Sequence, residues 1–129
     1  MANAMRRAGM ETRASLRRML DELRSFLQSR DDELVVRVMS RWISIRGRKG
    51  GRVFAELRPS KESIEVFVLP SPRELGSPSS VTMAPSSQGW GWFKSKFVFD
   101  GDGGAASALR ILRISYISSM RRPSRRRGR

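Results

Sequence analysis

The apolar residues Leu16, Met19, Leu20, Leu23, Phe26 and Leu27 recur at intervals of three and four. That spacing lays a single stripe along a helix, and the stripe needs an apolar surface to cover it. Arg17, Arg18, Asp21, Glu22 and Arg24 fall off the stripe, so the other face is polar. Arg18 and Glu22 stand four apart, a spacing that contributes roughly 0.2–0.5 kcal/mol when the charges meet. The chain therefore requires a helix over residues 10–30 and a partner layer for it. Its own stripe is long enough for packing on its own sheet, although a partner helix would fit the same face.

The period changes after Asp31-Asp32-Glu33. Residues 35–46 are rich in β-branched and aromatic types, and residues 52–58 form a second run reached through Gly47, Gly50 and Gly51. In residues 63–69, Ile64, Val66 and Val68 alternate with Glu65 and Phe67, which is the period of a strand. The short connection Pro59-Ser60-Lys61-Glu62 predicts two successive hairpins in an antiparallel meander. Residues 70–89 carry Pro70, Pro72, Gly76, Pro78, Pro85 and many serines, and read as a long loop. A fourth strand is expected over residues 94–99.

Residues 100–104 read as a turn, with Asp102 as the N-cap of a following helix. A calcium loop fits less well, because the acidic ligands stop there. Over residues 104–119, Ala105, Ala108, Leu109, Leu112 and Tyr116 trace a helical face. The stretch 111–117 is also β-branched enough for a strand; the capping signal and the alanines favour the helix. The expected fold is α+β: an antiparallel sheet of about four strands, with an N-terminal and a C-terminal helix packed on one face. Residues 1–9 read as a flexible leader, 10–120 as one domain and 121–129 as a basic disordered tail. No internal repeat is present.

At 129 residues the chain can bury a core without a disulfide or a metal. It has no Cys and no His, which removes thiol nucleophiles, Cys/His metal sites and imidazole acid–base chemistry. No apolar run reaches the ~18–20 residues that span a bilayer, and the N-terminal region lacks the apolar run of a secretory signal. The expected location is cytoplasmic.

Charge is the strongest compositional feature: 26 Lys and Arg against 12 Asp and Glu, a formal +14. Only Lys49, Lys61, Lys94 and Lys96 are lysines. Arginine forks match phosphate oxygens two at a time and stack on bases. A high-GC genome would give the same bias with no functional meaning, and abundant Arg without Cys also fits a thermophile.

Several short motifs carry a resemblance: Trp42-Ile43-Ser44-Ile45, Val53-Phe54-Ala55-Glu56, Ile64-Glu65-Val66-Phe67-Val68 and Gly89-Trp90-Gly91-Trp92. In this order, between a leading and a closing helix, they resemble a small domain family of unknown function. That family occurs alone or appended to predicted transport and restriction-nuclease-like proteins. The likeness spans roughly residues 15–120; Ile45, where the family more often has tyrosine, and the arginine tail depart from it. The resemblance implies an α+β fold and brings no catalytic residues.

Three groups are candidate contacts for nucleic acid. Arg41, Arg46, Arg48, Lys49 and Arg52 lie in twelve residues without an acid, and glycines there would let backbone approach phosphate. A solvated hairpin tip would need the same glycines. Arg121, Arg122, Arg125, Arg126, Arg127 and Arg129 form a cationic arm of the kind that contacts phosphates or folds on RNA; a solubilising tail or an arm for an anionic membrane surface has the same composition. Trp42, Trp90, Trp92 and Phe93, with Lys94 and Lys96 beside them, could stack bases, although glycine-flanked tryptophans more often fill a core.

Catalytic patterns are poorer. Glu56-Leu57-Arg58 has arginine where a restriction-type nuclease has lysine, and no Asp stands at a convincing position before it. Neither a phosphate-binding loop nor a dinucleotide fingerprint is present. The functional expectation is a non-enzymatic nucleic-acid-binding protein without a cofactor or metal. RNA or a ribonucleoprotein, the ribosome included, is favoured over DNA. A protein-interaction domain or a nuclease-accessory module with incidental charge is the alternative.

Overall fold

In a computed structural model, the described residues are 3–50, 52–85, 93–100 and 104–121. Helix α1 (Ala4–Arg7) is followed by helix α2 (Met10–Ser29), strands β1 (Leu34–Val38), β2 (Ile43–Gly47), β3 (Val53–Pro59), β4 (Ile64–Val68), β5 (Thr82–Met83) and β6 (Ser95–Phe99), and helix α3 (Ala105–Met120). The fold is α+β, as the change of period requires. The sheet has six strands rather than four, in the order β1-β2-β3-β4-β6-β5, and every pairing is antiparallel.

Both extra strands have local causes. The run 35–46 is two strands, because Met39 N–H donates to the Trp42 carbonyl at 2.8 Å and turns the chain within it. The proline-rich loop contributes the two-residue β5, which pairs Thr82 and Met83 with Lys96 and Ser95 of β6. Three hairpins in succession thus replace the expected two.

Alternation assigns the faces of the sheet. Ile43 and Ile45 pair with Leu57 and Ala55, these with Val66 and Val68, and these with Phe97 and Ser95. All of them are buried. Tyr116 of α3 lies on this face, against Gly47. A register shift at Ile45/Arg46 leaves Phe54 as the extra residue of a bulge, and its ring meets Tyr116 edge-on at 5.5 Å.

The α2 stripe is covered as the spacing demands: Leu16, Met19, Leu20, Leu23 and Leu27 are buried and Phe26 is half-buried. Phe26 meets Tyr116 edge-on at 5.9 Å, so α2 and α3 pack side by side in one layer. Truncating one such buried leucine to alanine typically costs about 2–5 kcal/mol. Ser115 joins α3 to the sheet, donating to the Phe54 carbonyl at 2.5 Å and accepting from Leu69 N–H at 3.0 Å.

Three local expectations change. Ala4 and Ala8 are buried, and Ala4 N–H bonds the Met39 carbonyl, so from residue 3 the segment read as a flexible leader packs on the β1–β2 turn. Small side chains permit that close approach. The N-cap of α3 is Gly104, in a left-handed conformation (φ 94°) that glycine adopts without strain; Asp102 lies outside the described residues. The buried face of α3 also includes Ile111, Ser115 and Ser119, which the reading of its apolar residues left out.

Candidate nucleic-acid interface

The β2–β3 hairpin tip is positioned by a buried carboxylate. Asp32 follows the end of α2, and its Oδ1 accepts from the backbone N–H groups of Glu33 at 2.7 Å and Lys49 at 2.9 Å. Its Oδ2 accepts from the Tyr116 hydroxyl at 2.7 Å. Gly47 is required beside this network: a Cβ there would stand 2.6 Å from Asp32 Oδ2 and 2.8 Å from Tyr116 Cε1. Backbone pairing continues past β1, with Arg48 N–H donating to the Glu33 carbonyl at 2.8 Å.

The helices run in the same direction. Ser15, Met19 and Glu22 of α2 face Ala105 and Leu109 of α3 across a groove, while Phe26 meets Tyr116 further along. Their C-terminal ends therefore arrive together at the hairpin tip. Lys49, Gly50, Arg52, Ser119 and Met120 line one open cleft of about 510 Å³. The approach is close: a Cβ on Gly50 would lie 2.8 Å from the Met120 sulfur. Arg121 caps α3 at this point, and the next eight positions hold five further arginines. Arg30 and Arg121, at the C-caps of α2 and α3, place positive charge where the helix dipoles are negative.

The basic run 41–52 is divided by the fold. Arg41 lies in the β1–β2 turn, at the opposite end of β2 from Arg48 and Lys49, about 16 Å away for five residues at ~3.3 Å each. Arg46 projects to the outer sheet face, between Val35 and Val53. Neither Arg41, Arg46 nor Arg52 has an ion pair among the described residues, and Arg37 on the edge strand resembles them in this.

The tip cations are paired. Arg48 Nη1 lies 2.6 Å from Glu33 Oε1, and Lys49 Nζ lies 3.2 Å from Asp31 Oδ2. The hydrogen bond that Arg48 donates to Glu33, then the charge of Glu33, holds the Arg48 guanidinium above its ordinary value. All four side chains are solvent-exposed, so salt screens these pairs and an external anion can replace the carboxylates. The acid-free segment is thus opposed by acids that adjoin it only through the β1–β2 pairing.

The aromatic group does not stay together. Phe93 is buried in the core. Half-buried Trp42 has the Arg58 guanidinium 5.6 Å from its ring centroid, and the same guanidinium lies 5.1 Å from that of Phe67. Lys96 is paired with Glu65 at 3.3 Å on the outer face, and Lys94 is exposed. Trp90, Trp92, Arg122, Arg125, Arg126, Arg127 and Arg129 lie outside the described residues. The carboxylate of buried Glu56 accepts from Arg58 Nε at 2.6 Å, which accounts for Glu56-Leu57-Arg58 as a structural pair.

Among the described residues no cluster of three or more carboxylates is placed to hold a metal, and no helix is long and apolar enough to cross a membrane. What the assembled end offers is a group of guanidinium and ammonium donors around a rigid turn, suited to oxyanions of phosphate. Comparison of the chain with protein-family models, with curated proteins and with solved structures returns no match.

Proposed function

We propose that the protein binds nucleic acid through phosphate contacts at the end of the molecule where the β2–β3 tip meets the C-terminus of α3. One observation carries this reading: the contact of Gly50 with Met120, which sets Lys49 and Arg52 beside the root of the arginine-rich segment. A fixed cationic turn and a cationic chain can then engage the same backbone. Neutralising phosphates releases counterions, which makes such binding steeply salt-dependent and largely blind to sequence.

RNA, free or in a ribonucleoprotein, is the favoured partner, because arginine-rich segments fold on irregular RNA surfaces. Of the residues proposed, Arg48, Lys49, Arg52 and Arg121 form the rigid part, and Arg122, Arg125, Arg126, Arg127 and Arg129 extend it. Arg41, at the far end of β2, is separate from this group. Base stacking by Trp90 or Trp92 would add affinity with little sequence preference.

The test is affinity for single- and double-stranded RNA and DNA across a salt series. Full-length protein is compared with Arg52→Gln and with the triple change Arg125→Gln, Arg126→Gln, Arg127→Gln. The logarithmic salt slope should be steep and should shallow by about 0.7 per lost contact on single strands. Affinity that ignores salt, or no binding at about 50–100 mM salt, where ~6 contacts should register, overturns the proposal in favour of a protein-interaction domain.

A further inference from the structure

Two arginines that the basic runs do not include meet at one aromatic ring. Arg30 closes α2, and Arg113 lies in α3 one turn before Tyr116. The Arg30 guanidinium carbon is 5.6 Å from the centroid of Phe26, and that of Arg113 is 5.3 Å from the same centroid. The two guanidinium groups are therefore at most about 11 Å apart, the sum of those distances.

Like charges this close normally share an acid. Among the described residues neither side chain forms an ion pair or donates a hydrogen bond to the protein. The Nε of Arg113 is buried without any acceptor. The two carboxylates that follow Arg30 in sequence have other partners: Asp31 pairs with Lys49, and Asp32 with Tyr116 and two backbone N–H groups. Arg110, three residues before Arg113 on the same helix, is exposed and also unpaired.

Phe26 itself is fixed, because it packs edge-on against buried Tyr116. The ring thus holds two guanidinium groups in place ahead of any ligand, which lowers the ordering cost of a contact. Guanidinium forks pair bidentately with phosphate oxygens. This seam lies one helical turn from the α2 end, beside the tip.

We propose that Arg30 and Arg113 form a subsite for a backbone phosphodiester group of the bound nucleic acid. The subsite rests on the reading given under Proposed function and extends that surface from the tip onto the α2–α3 seam. The ligand class is a phosphodiester with two free oxygens, each taken by one fork.

The experiment titrates a single-stranded RNA oligonucleotide against the full-length protein and against Arg30→Gln, Arg113→Gln and the double variant. Each titration is run across a salt series, with arginine Nε–H resonances followed by NMR. Arg113→Lys, which keeps the charge and the apolar stem, covers the case in which Arg113→Gln does not fold. The double variant should lose about 0.7 of the logarithmic salt slope, the share of one phosphate, or about 5-fold in affinity at 0.1 M salt relative to 1 M. Arg113→Lys should bind more weakly than wild type because the fork is gone. In the wild type, the Arg30 and Arg113 resonances should shift with RNA. Steep wild-type binding with unchanged slope in the folded variants and unmoved Arg30 and Arg113 resonances overturns the subsite and leaves the tip reading intact. Absence of salt-dependent binding by the wild type overturns both.

Discussion

The hydroxyl of Tyr116 donates to Oδ2 of Asp32 at 2.7 Å across 84 positions of sequence, and both residues are buried. Through this bond the end of α2, the β2–β3 tip and the last turns of α3 become one rigid unit. The candidate surface is built on that unit.

Replacing Tyr116 with phenylalanine keeps the ring contacts with Phe26 and Phe54 and removes only the donor. One oxygen of a buried carboxylate then loses its partner, which costs about 1–3 kcal/mol. Urea denaturation should show a lower midpoint with an unchanged slope. A midpoint equal to wild type would mean that Asp32 does not depend on this bond.

The same pair imposes a pH dependence. Burial, then the bond to Asp32 and its charge, raise the Tyr116 pKa to about 12, with Arg30 opposing. A raised folded value means the contribution is whole below the ordinary value of 10 and is lost as pH climbs through about 12. For Asp32, burial pulls the carboxyl upward, but the bonds from Lys49, Tyr116 and Glu33 outweigh it and hold its pKa below the usual aspartate value. That contribution is present above the ordinary aspartate range and disappears as pH falls through the folded value. Stability measured for wild type and Tyr116→Phe should therefore converge between pH 10 and about 12. A gap that stays constant across that window contradicts the assignment.

Gly47 and Gly50 should respond differently to alanine. At Gly47 the new Cβ meets a carboxylate fixed by three hydrogen bonds and a ring fixed by two aromatic contacts, so neither yields cheaply. A loss of about 1–3 kcal/mol is expected. At Gly50 the Cβ meets only the sulfur of Met120, near the end of a flexible side chain, and the change should stay within about 0.5 kcal/mol. Thermal melts of both variants decide it; equal losses would show that Met120 cannot move.

Asp31 and Glu33 pair with Lys49 and Arg48, so under the proposed function they would compete with phosphate for these cations. The double change Asp31→Asn, Glu33→Gln should leave the melting temperature nearly unchanged, because the pairs are exposed. It should tighten RNA binding and steepen the salt slope, by up to about 1.4 for two released cations. Unaltered affinity would place the nucleic acid away from the tip.

Much of the architecture is legible in the chain. The spacing of Leu16 to Leu27 dictates α2, and the alternation of Ile64, Val66 and Val68 dictates β4, because burial on one face imposes the period directly. The turn inside 35–46 is not legible, since Met39-Ser40-Arg41-Trp42 holds no glycine or proline to mark it. In α3 the β-branched run 111–117 competes with the helical period, and packing against Phe54 and Phe26 settles the conflict.

Composition alone established the charge excess, the lack of His and Cys chemistry and the segments rich in arginine. Among the described residues, the fold decided which cations are paired with an acid. Leu34 pairs with Gly47, so Glu33 meets Arg48; a slip of one residue in that register would exchange the faces and separate them. Arg30 and Arg113 lie 83 positions apart and meet only because α2 and α3 pack side by side on one sheet face. Periodicity is a property of each element, whereas charge pairing depends on distances between elements, and those exist only once the strands and helices have packed.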